Sequence, residues 1–126
     1  MLDDRTCVAA EPNAFAGGFV WTPQKNLFCW HALLGEAPGG EGVSPYAAPA
    51  RAADLSGLPP TFLSTAALDL FVDEDLAYAQ RLIRAGVPTE VHVYTGAYHG
   101  FDVFTDSAVS RRARAESREA LRRALA

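Results

Sequence analysis

Between Thr61 and Tyr94 the hydrophobic period changes from strand to helix and back to strand, and this switch limits the fold more than any other stretch. Thr61-Phe62-Leu63-Ser64-Thr65-Ala66-Ala67-Leu68 is an apolar, β-branched run bounded by Pro59-Pro60 and Asp69, the pattern of a core strand covered on both faces. A helix is expected next. Asp73 is its candidate cap, Glu74 and Asp75 lie in its first turn, and Arg81 and Arg84 lie near its end, so acidic and basic groups match the helix dipole. Leu76, Ala79, Leu82 and Ile83 supply its buried face. Gly86 closes the helix and Pro88 prevents its resumption. Thr89 to Tyr94 then returns to a β pattern, with Val91 and Val93 on one side and His92 on the other. Such a unit implies two parallel strands joined by a right-handed crossover.

The flanking segments are read in the same way. Residues 1–21 lack periodicity and are broken by Asn13, Gly17 and Gly18. A helix is predicted over 23–34, with Thr22 as cap, Pro23 at its first position and Gly35 as its stop. Leu27, Trp30, Leu33 and Leu34 would form its apolar stripe. Pro38, Pro45 and Pro49 make the connection over 36–58 extended. A last helix from about Ala108 to Ala126 is expected to lay Val109, Ala113, Leu121 and Leu125 on the sheet. The chain therefore divides into a loop-rich 1–57 with one helix and a strand–helix–strand–helix part over 58–126, within a single α/β domain.

Composition narrows the function classes. With 49% apolar and 21% charged residues the chain belongs with ordinary globular proteins. No window approaches the roughly 18 apolar residues of a membrane span. Met1-Leu2-Asp3-Asp4-Arg5 is not the basic-then-apolar start of a secretory signal, so a cytoplasmic location is expected. Cys7 and Cys29 lack metal-site or redox spacing and read as buried free thiols. Residues 107–126 hold six arginines against two glutamates, but no interleaved aromatics or groove-reading motif accompany them. They read as the solvated face of a helix, not as a nucleic-acid surface.

In an open α/β sheet, functional groups gather beyond the carboxyl ends of the strands. Asp69 directly follows the first strand, and His99 follows the second after Thr95-Gly96-Ala97-Tyr98. Parallel neighbours lie about 4.8 Å apart, so residues beyond two such ends can meet. A carboxylate on one histidine nitrogen fixes the tautomer and frees the other nitrogen as a general base. From pattern alone such a pair is more often structural, with Asp69 capping the turn and His99 satisfied in the core, and the catalytic reading is the less frequent alternative. His31, beside Trp30, reads as a helix-surface or packing residue. His92 and His99 lack a third ligand at recognisable spacing, so no metal and no cofactor are expected.

The pieces also occur in a familiar order. Gly57-Leu58-Pro59-Pro60-Thr61-Phe62, Leu68-Asp69-Leu70-Phe71-Val72-Asp73-Glu74 and Tyr94-Thr95-Gly96-Ala97-Tyr98-His99-Gly100-Phe101 together resemble the C-terminal region of bacterial esterases of the hormone-sensitive-lipase family. Ser44-Pro45-Tyr46 and Met1-Leu2-Asp3-Asp4-Arg5 resemble segments that precede those motifs. The resemblance implies a partial α/β-hydrolase fold in which Asp69 matches the triad acid and His99 the triad histidine. Asp73 and Glu74 match an acidic pair of the family motif, whose simplest role here is capping the helix. The chain departs from the family at Leu70, where proline is usual, and at Asp75, where glycine is common.

The serine nucleophile of such enzymes sits in Gly-x-Ser-x-Gly, with an oxyanion hole from an earlier His-Gly-Gly loop. Neither motif is present: none of Ser44, Ser56, Ser64, Ser107, Ser110 and Ser117 has a glycine at both of the required positions. The expectation is a C-terminal part of an acyl-ester hydrolase that is inactive alone. The alternatives are a non-catalytic remnant and one half of a split enzyme. A strand left without its upstream neighbour also predicts a homodimer or higher oligomer, with residues 1–35 rearranged or exchanged to cover the sheet.

Overall fold

The computed structural model describes residues 1–126. In chain order its elements are α1 (Pro23–Leu34), β1 (Thr61–Ala66), α2 (Val72–Arg84), β2 (Thr89–Tyr94), the one-turn α3 (Phe101–Phe104) and α4 (Ala108–Ala124), with 3₁₀ turns at Asp4–Val8 and Pro49–Arg51. β1 and β2 pair in parallel, from Thr61 opposite Thr89 to Ala66 opposite Tyr94. They form the whole sheet, so the outer edge of each strand has no strand partner. The α/β class and the parallel strand–helix–strand unit are as the sequence implied.

β1 ends at Ala66, short of the Leu68 limit of the apolar run. Ala67 and Leu68 still donate across to Tyr94 O and Ala97 O, at 3.0 and 2.9 Å, but Asp69 N–H closes a turn on Ala66 O at 3.0 Å. The chain therefore leaves the strand while remaining tied to the end of β2. α4 covers the sheet face that carries Ala66 and Tyr94, where Ala97, Phe101 and Ala113 complete a small apolar core. α2 packs against both strands on the other face. Its fully buried Leu82 joins Leu55 and Val87 in a second cluster. Burying a leucine in this way stabilises by about 2 kcal/mol.

Helix ends follow local chemistry. Thr22 Oγ1 accepts from Lys25 N–H at 3.4 Å, and Gly35, at φ +72°, donates to His31 O at 2.9 Å, so α1 has the limits the sequence predicted. α2 begins one residue before Asp73, and the position ahead of it, Phe71, provides no side-chain cap. Asp73 is thus a first-turn residue, and the capping expected of it falls to the turn at Asp69 instead. Gly86 sits at φ +79° beyond the last turn of α2, where Val87 N–H returns to Leu82 O at 3.0 Å.

Several expected apolar faces are not buried. Leu76 and Ile83 on α2, Leu27 and Leu33 on α1, and Leu121 and Leu125 on α4 or its end all remain exposed. The buried stripe of α1 is Asn26 and Trp30, and that of α4 is Ser110 and Ala113. The sheet is too narrow for α4 to reach along its full length. Cys7 and Cys29 are free but half-buried, not fully buried. Burial pushes the Cys7 thiol up to about 11, despite the bond Asn26 Nδ2 donates to its sulfur at 3.0 Å. No helix is long and apolar enough to cross a membrane.

Candidate active site

The carboxyl ends of β1 and β2 carry the two residues that the sequence singled out. Asp69 occupies the turn between β1 and α2, where one carboxylate oxygen accepts from Phe71 N–H at 3.1 Å. This is the turn-capping role expected of a structural aspartate. Its other oxygen lies 3.0 Å from His99 Nδ1, so Asp69 does both at once. His99 is held by the loop after β2, where Gly96 and Gly100 take φ of +71° and +73°. At Gly100 the positive φ disfavours any other residue, and a Cβ would also stand 2.6 Å from the exposed Phe104 ring, which would have to shift. The bond from Leu68 N–H to Ala97 O locks the two loops together, so the spacing of the pair follows from strand register and one cross-loop bond.

The side chain of Asp69 is largely covered (12% exposed), whereas that of His99 is 31% exposed. Contact through Nδ1 leaves His99 Nε2 as the nitrogen that Asp69 does not engage. Beside the pair lies a cavity of about 340 Å³ along the open side of β1, lined in part by Ser64, Ala66, Asp102 and Ser117. Ser64 and Ser117 are exposed, and neither lies on a strand-to-helix turn. The geometry provides a buried acid, an oriented imidazole and an accessible nitrogen. An arrangement of this kind is chemically able to serve as a general base.

Aromatic rings enclose His99. The Trp21 ring lies 5.4 Å from the imidazole at 38°, and Phe71 meets it edge-on at 5.5 Å. Tyr98 packs with Phe19 at 5.7 Å. Sequence reading missed Trp21, because residues 1–21 offer no period from which its position could be inferred. Asp75, a first-turn residue of α2 and a departure from the glycine common in the family, is half-buried near the pair. Burial raises its pKa, and the nearby Asp69 carboxylate reinforces that shift.

Other expected residues lie elsewhere. His92 is on the α4 face, with Nε2 at 2.8 Å from Glu90 and Nδ1 at 3.2 Å from Glu116. It ties β2 to α4. His31 is exposed on α1. Glu74, expected to cap α2, is buried and accepts instead from Leu2 N–H at 2.6 Å and Thr6 Oγ1 at 2.7 Å. Its position in the family motif thus serves to fasten the first residues to α2.

A family profile described as alpha/beta hydrolase fold matches residues 1–103. The chain belongs to this family. It corresponds to the C-terminal portion of bacterial esterases of the hormone-sensitive-lipase type. Among curated relatives, Esterase LipI of Mycobacterium tuberculosis is 41% identical over 54 residues, which are 43% of this chain and 17% of LipI. Carboxylesterase NlhH of the same species is 45% identical over 49 residues, 39% of this chain and 15% of NlhH. Among solved structures, a bacterial heroin esterase is 40% identical with a TM-score of 0.88, over all of this chain and 40% of that one. Esterase LipW from Mycobacterium marinum is 36% identical with a TM-score of 0.76, over 96% of this chain and 37% of LipW. The α/β hydrolase chain described here therefore spans well under half the length of these relatives.

Proposed function

We propose that these residues are the part of a cytoplasmic serine carboxylesterase that carries the acid and the histidine of its triad, with the nucleophile and oxyanion loop contributed by sequence outside them. The contact of 3.0 Å between His99 Nδ1 and Asp69, made across two strand ends, carries this reading. Asp69 holds the proton on Nδ1 and stabilises the imidazolium that forms when Nε2 takes a proton from the serine. His99 then returns that proton to the leaving alcohol, and an activated water completes hydrolysis of the acyl-enzyme. The substrates are acyl esters, in keeping with the relatives named esterase and carboxylesterase. The chemistry requires no cofactor.

Without a nucleophile the chain alone is inactive. Purified, it hydrolyses p-nitrophenyl acetate no faster than imidazole background catalysis, and a fluorophosphonate leaves it unlabelled. Stoichiometric labelling of one serine, with loss of a measurable activity, overturns this. A second reading, self-association, is favoured by the unpartnered outer edge of β1. It predicts a homodimer or higher oligomer in which residues 1–35 are exchanged or rearranged. Sedimentation showing a folded monomer at all micromolar concentrations overturns it.

A further inference from the structure

Residues 17–21 form a strap that joins the two halves of the Asp69–His99 pair. At one end Gly17 N–H donates to Leu68 O, one residue before Asp69, at 3.0 Å. Gly17 sits at φ +74°, which favours glycine, and a Cβ there would also crowd Leu70, its Cδ1 at 2.6 Å and its Cβ at 3.3 Å. At the other end Trp21 N–H closes a three-residue turn on Phe19 O at 2.7 Å. The centre of that turn is Val20 at φ +60°, the only non-glycine residue with positive φ, and a β-branched side chain is strained there. Such strain persists only where surrounding contacts over-determine the backbone. Those contacts are present: Lys25 Nζ donates to Val20 O at 2.8 Å, Trp21 Nε1 donates to Asn26 Oδ1 at 3.3 Å, and Thr22 caps α1. Asn26 is itself buried.

The held group is the Trp21 indole, and its neighbour is the His99 ring. A histidine χ2 is a broad, nearly two-fold torsion, so rotamer preference alone does not choose which edge of the ring meets Asp69. The hydrogen bond to Asp69 favours one orientation but constrains a single atom. Trp21 and Phe71 restrict the remaining rotation from two directions, and their rings lie 6.0 Å apart. We propose that Trp21 is a positioning residue for His99: the strained strap presses the indole on the imidazole and keeps Nδ1 on Asp69. This rests on the reading of Asp69 and His99 as an acid–base pair.

The full chain, labelled with ¹⁵N at histidine, tests it through the ring-nitrogen correlations of His99 at about pH 9, where an ordinary imidazole is neutral. The unaltered chain should show one tautomer, protonated at Nδ1, with Overhauser contacts between the Trp21 indole and the His99 ring. Trp21→Leu should average the two tautomers while the backbone amide spectrum stays dispersed, and Trp21→Phe should restore the single tautomer. A single tautomer retained in a folded Trp21→Leu chain overturns the proposal. If that variant unfolds, Asn26→Ala frees the indole without removing it, and absence of the indole–imidazole contacts in the unaltered chain is itself decisive against the proposal. Asp69→Asn separates the two claims. If it changes the His99 tautomer and Trp21→Leu does not, only the role of Trp21 fails. If Asp69→Asn changes nothing either, the acid–base pair fails with it.

Discussion

Residues 58–126 and residues 1–57 are held by different forces. The later region is a ladder of parallel pairing between two helices, with its apolar contacts centred on Ala66, Tyr94, Ala113 and Leu82. The earlier region has one regular helix and is fastened by a few buried polar groups. Asp4, wholly buried, receives two bonds from Arg51 at 2.8 Å and one from Gly39 N–H at 2.7 Å. Glu74 holds Leu2 and Thr6, while Arg81 on α2 donates to the carbonyls of Ala50 and Ala52. Periodic apolar packing spreads its contribution over many weak contacts, whereas each clamp concentrates it in a few polar contacts whose loss leaves a buried group without a partner.

That contrast predicts two kinds of failure. Leu82→Ala removes a fully buried side chain at the meeting of α2 with Leu55 and Val87, and should cost about 4 kcal/mol in urea unfolding. Its effect should be global, with amide protection falling in both regions. Asp4→Ala leaves the Arg51 guanidinium without its buried partner and should cost about 3 kcal/mol. Its loss of protection should be confined to residues near the two 3₁₀ turns, while β1 and β2 stay protected. Equal loss of sheet protection in both variants would abolish the distinction.

Acidification gives a smaller effect whose sign differs between the clamps. Burial raises the Glu74 pKa above its ordinary value of 4.5, against the opposing bonds from Leu2 and Thr6. The folded chain thus binds that proton more tightly than the unfolded chain. The contribution of Glu74 to stability is therefore fully present below 4.5 and is lost as pH rises through the raised value. Asp4 behaves oppositely: the hydrogen bond from Arg51 holds its carboxyl below the ordinary 3.8, so its contribution is present above 3.8 and fades as pH falls further. Glu74→Gln should remove the gain in thermal stability on mild acidification and leave the Asp4-dependent loss at lower pH. A melting profile unchanged by Glu74→Gln would show that Glu74 does not titrate with folding.

The same division explains what the sequence made legible. The unit over 61–94 could be read because alternation, helical spacing, Gly86 and Pro88 all act within a few residues of one another. The approach of Asp69 to His99 was legible because both follow strand ends whose pairing that unit dictates. Glu74 was misjudged because its partners, Leu2 and Thr6, are about seventy residues away in sequence and no local pattern announces them. Leu76, Ile83, Leu121 and Leu125 were assigned to a core from spacing alone, but spacing defines a face and not what covers it. Trp21 lies beside His99 through a turn with Val20 at positive φ, a conformation that valine disfavours and that a sequence reader would reject.

The central claim, that Asp69 and His99 are the acid and base of an esterase triad, is tested most directly by supplying the missing nucleophile. A Gly-x-Ser-x-Gly-bearing upstream portion of a bacterial esterase of this family would be joined ahead of Met1, and hydrolysis of a short-chain aryl ester measured. With Asp69 and His99 intact the chimera should turn over the ester. His99→Ala and Asp69→Asn should each lower kcat by roughly 10³ to 10⁴ without unfolding it. A chimera that keeps its full activity after His99→Ala would contradict the assignment.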